Sequence, residues 1–333
     1  MATESLLHIQ DLKKYFLVKR TSVFGPREWV YAVDGVSLDV MRGETLGLVG
    51  ESGCGKSTLG RSVLRLIEPT AGKIVYEGQD ITGIRGRKLK KLRSEMQIIF
   101  QDPYSSLNPR LTVEHIVGDA LKTHGLAAGR EVADRVADML DKVGIHREKM
   151  KCFPHEFSGG QRQRIGIARA LAMEPTVLLA DEPVSALDVS IQAQVINLLN
   201  ELKSEFRLSY ILIAHDLSVI NHVSNRIAVM YLGRVIELAS NQQLLAKPLH
   251  PYTQALLSAI PVMDPDKKKK RIILKGDVPS PIKPPSGCRF HPRCQRAMDI
   301  CPLSEPRWAE IEPRHFVMCH LYEPCRPQGF AAA

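Results

Sequence analysis

Short apolar runs separated by polar, glycine-rich turns fill the first two-thirds of the chain, and their spacing sets the expected architecture. Residues 6–12 and 30–43 read as strands bounded by polar turns, and "GKIVYEGQDI" (72–81) as an edge hairpin. Leu46 to Val49, "MQIIF" (96–100), "TVLLAD" (176–181), "YILIAH" (210–215) and "RIAVMYLGRVIEL" (226–238) are apolar enough to be core strands. Helical periodicity dominates 111–150, broken at Gly125, Gly129 and Gly144, and returns near 190–205. Short strands alternating with helices predict an α/β fold with a parallel sheet. The helical stretch between two core strands, about 102–172, is expected to be an inserted subdomain. Beyond residue 250 the pattern decays into "DVPSPIKPPSG" (277–287), where four prolines mark a linker. The expected division is therefore a nucleotide-binding unit over 1–250, a linker over 251–286 and a tail over 287–326.

Composition adds little until its distribution is considered. The 333 residues carry a formal charge of +9, densest in "RGRKLKKLR" (85–93) and "KKKKR" (267–271). Solvated surface charge is the plain reading, with attraction to an anionic membrane face or a polyanion as the alternative. Aromatics make up 6% and none is interleaved with these clusters as a stacking platform, so nucleic acid is not expected as a partner. No run of about eighteen apolar residues is present, and "MATESLLHIQDLKKYF" lacks the apolar segment of a signal peptide. A cytoplasmic chain that reaches any membrane through partners is the expectation. Of seven cysteines, Cys54 and Cys152 stand alone, whereas Cys288, Cys294, Cys301, Cys319 and Cys325 crowd the tail. In a reducing compartment such crowding points to metal rather than disulfides.

Two motifs carry the chemistry. "GESGCGKS" (50–57) fits the phosphate-loop pattern GxxxxGK[ST], lying between an apolar strand and a helix. Backbone N–H groups of Ser52 to Lys56 can curl around a phosphate, with Lys56 neutralising the β- and γ-phosphates and Ser57 holding Mg²⁺. "TVLLADEP" (176–183) ends a strand in two acids. Asp181 is the candidate Mg²⁺ ligand, directly or through water, and Glu182 the candidate for polarising the attacking water. An acid pair after a strand is ordinarily a helix cap; behind a phosphate loop it becomes a second half-site.

Together with Gln101, "SGGQ" (158–161), "SALD" (185–188) and His215, these motifs stand in the order of the ATP-binding subunits of ABC (ATP-binding cassette) transporters, which the chain resembles over residues 5–240. The resemblance implies a P-loop cassette with a RecA-like core, an N-terminal antiparallel β subdomain and an inserted helical subdomain. It implies an ATP-binding set of Phe16, Gly50, Glu51, Ser52, Gly53, Cys54, Gly55, Lys56, Ser57 and Thr58. Tyr15 is the alternative adenine platform to Phe16. It further implies that Ser158, Gly159, Gly160 and Gln161 of one subunit cap the ATP held by another, that Gln101 senses Mg²⁺ and the water, that His215 holds the γ-phosphate and orients Glu182, and that Asp188 couples the two composite sites. Phe157 departs from the family's usual Leu before SGGQ, a hydrophobic exchange without expected consequence.

"HPYTQALLSAIP" (250–261), "GCRFHPRC" (287–294) and "DPYSSLNPR" (102–110) resemble the dipeptide and oligopeptide importer branch, most closely the second ATPase of a dipeptide importer. That branch implies a different partner ATPase, two membrane permease subunits and an external binding protein, with this chain at the cytoplasmic face of the membrane. Nickel, haem or a glycan fragment are alternative cargoes. A soluble ATPase of translation or repair is the rival reading, but the second cassette or long coiled-coil arms of those types are missing here. Cys288, Cys294, Cys301 and Cys319, spaced by five, six and seventeen residues, offer four thiolates. Similar tails in related importers imply a [4Fe–4S] cluster, with Zn²⁺ as the alternative; Cys325 lies outside the matching four.

Overall fold

A computed structural model describes residues 5–18, 27–260 and 271–323. Cys325 and most of the basic run at 267–271 lie outside the described residues. The strands β1 (Ser5–Leu17) and β2 (Trp29–Met41) pair antiparallel, and β1 pairs on its other side with β4 (Ala71–Tyr76), which turns into β5 (Gln79–Asp80). The turn of this last hairpin carries Glu77 and Gly78 at φ +47° and +76°, the left-handed pair that matches the twist of the flanking strands. The resulting four-stranded sheet, ordered β2-β1-β4-β5, is the expected N-terminal antiparallel subdomain.

The second sheet holds the chemistry. Its strands β3 (Thr45–Val49), β6 (Met96–Ile99), β7 (Val177–Asp181), β8 (Ser209–Ile213) and β9 (Arg226–Tyr231) run parallel in the order β9-β3-β8-β7-β6. All residues of β3, β7 and β8 are buried, as strands covered on both faces must be, so their sequences are unbroken apolar runs. The helices α1 (Lys56–Val63), α7 (Val189–Phe206) and α8 (Leu217–Val223) follow β3, β7 and β8 respectively. The basic stretch at 85–93 lies in α2 (Gly86–Glu95), whose one buried side chain is Leu92. Between β6 and β7 come α3 (Pro103–Ser106), α4 (Val113–His124), α5 (Arg130–Lys142) and α6 (Gly159–Leu171), which pack on one another as the expected inserted helical subdomain. Phe157 is buried in that subdomain's core.

The C-terminal third departs from expectation. The sheet continues past β9 into antiparallel β10 (Arg234–Ser240), then α9 (Asn241–Ala246) and α10 (Pro251–Ser258). Within the expected linker, α10 buries Tyr252 and Leu257 against the cassette. In the tail, β11 (Trp308–Glu312) and β12 (His315–Met318) extend the main sheet through pairing of β12 with β10, Glu237 opposite Val317. The tail contributes few apolar side chains, Phe290 and Val317 among them, and inserts these into a core the cassette supplies. No periodicity of its own could announce that. Among the described residues no helix is long and apolar enough to cross a membrane.

Candidate active site

Strand β3 lies at the centre of the sheet, and the loop from its C-terminal end to α1 faces a cavity of about 460 Å³. Ser52, Gly53, Gly55, Lys56, Ser57 and Thr58 line it. Gly55 takes φ +105°, and a Cβ there would sit 1.9 Å from the Ala32 carbonyl oxygen, so no side chain fits. Gly50, Glu51 and Cys54, expected in the same set, face elsewhere. Gly50 packs against the Met230 carbonyl, and Cys54 is buried in the core, which pushes its thiol up. Lys56 is itself buried, its ammonium donating to the carbonyls of Gly50 (2.7 Å) and Glu51 (3.1 Å), the loop's own stand-ins for an anion's oxygens.

Both acids arrive from the end of β7, two strands along the sheet from β3. Asp181, fully buried at the tip of β7, accepts from Ser57 Oγ at 2.7 Å and from Arg61 at 3.1 Å. Two hard oxygen donors, Ser57 at the start of α1 and Asp181 at the tip of β7, suit Mg²⁺, whose remaining ligands are ordinarily phosphate and water oxygens. Glu182 follows in the left-handed region at φ +49°, a conformation costing a non-glycine residue about 1 kcal/mol or more. Its N–H bonds Ile213 O at 3.0 Å, and its carbonyl accepts from Ser185, which hold that geometry. Gln101 donates to Glu182 Oε2 at 2.7 Å, and His215 Nδ1 lies 3.5 Å from the same oxygen. Three residues widely separated in sequence thus meet at one carboxylate on the cavity wall.

At the other end the cavity is lined by Phe16, Val30 and Ala32. Phe16 pairs with Val30 across β1 and β2, so both project from one face of that sheet. Tyr15 points to the opposite face, where its hydroxyl donates to Asp34 at 2.5 Å. Phe16 is therefore the aromatic that reaches the cavity. Pro281, from the expected linker, completes this wall, its carbonyl accepting from Tyr31 N–H on the free edge of β2 at 3.0 Å. Ala32, Val30, Pro281 and Arg61 were not singled out in the sequence, since apolar and basic residues at such positions carry no motif.

The signature lies apart from this cavity. Ser158 caps α6 in a reciprocal box, its Oγ accepting from Gln161 N–H and its own N–H bonding Gln161 Oε1. Gly160 packs beneath Ile191 of α7, where a Cβ would lie 2.6 Å away. Neither these residues nor Gly159 line the cavity of their own chain. Asp188 caps α7, accepting from Ile191 N–H and the Ser190 hydroxyl, which hold its carboxyl below the ordinary range.

The tail cysteines gather without completing a metal centre. Cys319 lies within electrostatic reach of Cys288, Cys294 and Cys301, and burial pushes the thiols of Cys288 and Cys319 up to about 11 and about 12. Among the described residues, however, no group of three or more His, Cys, Asp or Glu side chains is placed to hold a metal ion. A bound ion requires its thiolates about 2.3 Å from one point. Among the described residues the expected metal-binding tail therefore forms no single-ion site, and neither the iron–sulfur nor the zinc expectation is shown here.

Comparison with known proteins fits the cavity's residues. Residues 33–185 match the ABC transporter family, and residues 236–301 match the oligopeptide/dipeptide transporter C-terminal region. The chain belongs to the ABC transporter ATPases. It is 53% identical to the oligopeptide transport ATP-binding protein AppF of Bacillus subtilis, over 96% of this chain and 98% of that one. A putative peptide import ATP-binding protein of Brucella ovis is 49% identical over 96% and 98% of the two chains. Among solved structures, a dimeric ATP-binding cassette in a post-hydrolysis state, bound to ADP and Pi, superposes with a TM-score of 0.62 at 28% identity. That match covers 71% of this chain and 98% of the other. The cassette fold and an ATP-hydrolysing role follow for this ABC ATPase.

Proposed function

We propose that this chain energises import of dipeptides or oligopeptides, bound at the cytoplasmic face of the membrane to two permease subunits. A second, different ATPase completes the engine, and an extracytoplasmic binding protein delivers the cargo. One observation carries the arrangement: the phosphate loop, Glu182, Gln101 and His215 share one cavity, with Asp181 buried behind Ser57, while the signature at Ser158–Gln161 lies outside it. A signature that cannot serve its own phosphate loop is fitted to serve a partner's, offering N–H groups at a helix N-terminus.

In this reading ATP lies with its base against Phe16 and its phosphates in the loop. Lys56 exchanges its carbonyl partners for phosphate oxygens. Mg²⁺, held by Ser57 and Asp181 with Gln101 in reach, would supply charge neutralisation at the β- and γ-phosphates. Glu182 accepts a hydrogen bond from the attacking water and aligns it with the γ-phosphorus; Gln101 and His215 fix the carboxylate's direction. The P–O bond to the leaving ADP breaks as water adds, and the water's proton leaves toward Glu182 or solvent. Catalysis then rests on alignment and electrostatics. Asp188, the cap of α7, would help couple the two composite sites.

For the tail we propose a [4Fe–4S] cluster on Cys288, Cys294, Cys301 and Cys319. A cluster spreads its thiolates around a cage rather than one point. The sulfurs of Cys294 and Cys301 each lie 3.4 Å from a backbone N–H, of Arg296 and Met298, the kind of bond that supports cluster ligands. Anaerobic purification should give a brown protein with matching iron and acid-labile sulfide. A colourless preparation holding stoichiometric zinc would select the alternative. The importer reading is tested by isolating the complex with its permeases and assaying ATP-dependent peptide uptake in proteoliposomes. Uptake of nickel, haem or a glycan fragment in place of peptide would overturn the cargo.

A further inference from the structure

The phosphate loop contains an acid where an anion must bind. Glu51 follows the first glycine of "GESGCGKS", yet its carboxylate does not line the cavity. Arg293 of the tail grips it bidentately, Nη1 to Oε2 at 2.7 Å and Nη2 to Oε1 at 3.1 Å. Arg293 is 8% exposed and comes from the turn at His291–Arg293, on the far side of the sequence. Its guanidinium lies 6.0 Å from the Tyr231 ring, beside the packed rings of Tyr231, Tyr252 and Phe290. The Tyr252 hydroxyl meanwhile accepts from the Glu51 N–H at 2.8 Å. Both ends of Glu51 are thus held by residues that follow β10, side chain by Arg293 and main chain by Tyr252. Such a fork-to-carboxylate pair, its arginine buried and its carboxylate partly so, fixes direction as well as charge.

We propose that Arg293 is a positioning residue of the ATP site: it neutralises Glu51 and pins it away from the cavity, leaving the phosphate loop net cationic through Lys56. This inference rests on the reading of the cavity as the ATP site. Without Arg293, a free carboxylate on the loop would repel a triphosphate a few ångströms away. The repulsion grows with phosphate charge and weakens with ionic strength. The tail thereby becomes part of nucleotide binding rather than an appendage.

The test is equilibrium binding of Mg-ATP and Mg-ADP to the full-length chain, parent and variants, at low and high salt. Arg293→Met should weaken ATP about tenfold and ADP less, with the gap narrowing in high salt. Arg293→Lys should recover most of the loss, and Glu51→Gln added to Arg293→Met should recover it too, since no charge then needs neutralising. Parent-like ATP binding by Arg293→Met would overturn the proposal. So would an equal loss of ATP and ADP that neither Arg293→Lys nor the double variant relieves, which marks a tail that has merely failed to fold. A parent chain that binds no ATP would instead overturn the ATP-site reading itself.

Discussion

His250 makes the C-terminal region measurable through pH. It is fully buried at the start of α10, where its Nδ1 accepts from the Tyr252 N–H at 3.0 Å and its ring packs on Phe290. Accepting at Nδ1 fixes the tautomer with the proton on Nε2, so further protonation must break the cap. Burial lowers its pKa from about 6.5 to about 4, although nearby Glu237 opposes the shift. The folded state therefore binds the proton less readily than the unfolded chain, and stability must fall as pH drops from about 6.5 toward about 4. The full window of about 2.5 units corresponds to roughly 3 kcal/mol, of which about 2 kcal/mol is lost between pH 7 and pH 5. Other groups titrate in the same range, so the measurement is a difference against His250→Asn. That variant's side-chain oxygen can still cap α10 but takes up no proton. Urea unfolding at steps from pH 7 to pH 5, followed by tyrosine fluorescence, should show the parent's advantage over His250→Asn shrinking by about 2 kcal/mol. A difference that stays flat across these steps would refute the reasoning, because it would mean the buried ring does not stay neutral or does not unfold with the region.

The remaining expectations concern the cavity and its surroundings. Glu182→Gln in the assembled complex should keep ATP binding and lower turnover by a factor of 10² or more, while Lys56→Ala should weaken binding itself; parent-rate hydrolysis by Glu182→Gln would remove its role. Ser158→Arg should impair nucleotide at the partner's phosphate loop and spare occupancy of its own, which site-resolved photolabelling reads directly. Gly55→Ala should abolish ATP binding and cost several kcal/mol of stability, since its Cβ would meet the Ala32 carbonyl at 1.9 Å; equilibrium unfolding and nucleotide binding check both halves.

The cassette was legible because its chemistry is local. A loop that wraps phosphate needs its glycines, lysine and hydroxyl consecutive in sequence. Strands buried on both faces need unbroken apolar runs, as in β7 and β8. Caps such as Ser158 with Gln161 are likewise written three residues apart. The linker and tail are not legible, for the complementary reason. Their stability is borrowed: α10 and β12 complete a core and a sheet edge that other segments build, so neither shows a periodicity of its own.

By itself, then, the sequence determined the phosphate loop, the acid pair, the signature and the core strands as apolar runs along the chain, each a matter of neighbouring residues. Only the tertiary structure decided that Phe16 and not Tyr15 faces the cavity, because β1 pairing sets which face each side chain takes. It also decided that Gln101 and His215 converge on one Glu182 oxygen, and that Glu51 turns from the phosphate site to Arg293. Those outcomes depend on sheet register and on charge compensation between segments far apart in the chain. Short-range pattern carries no record of either.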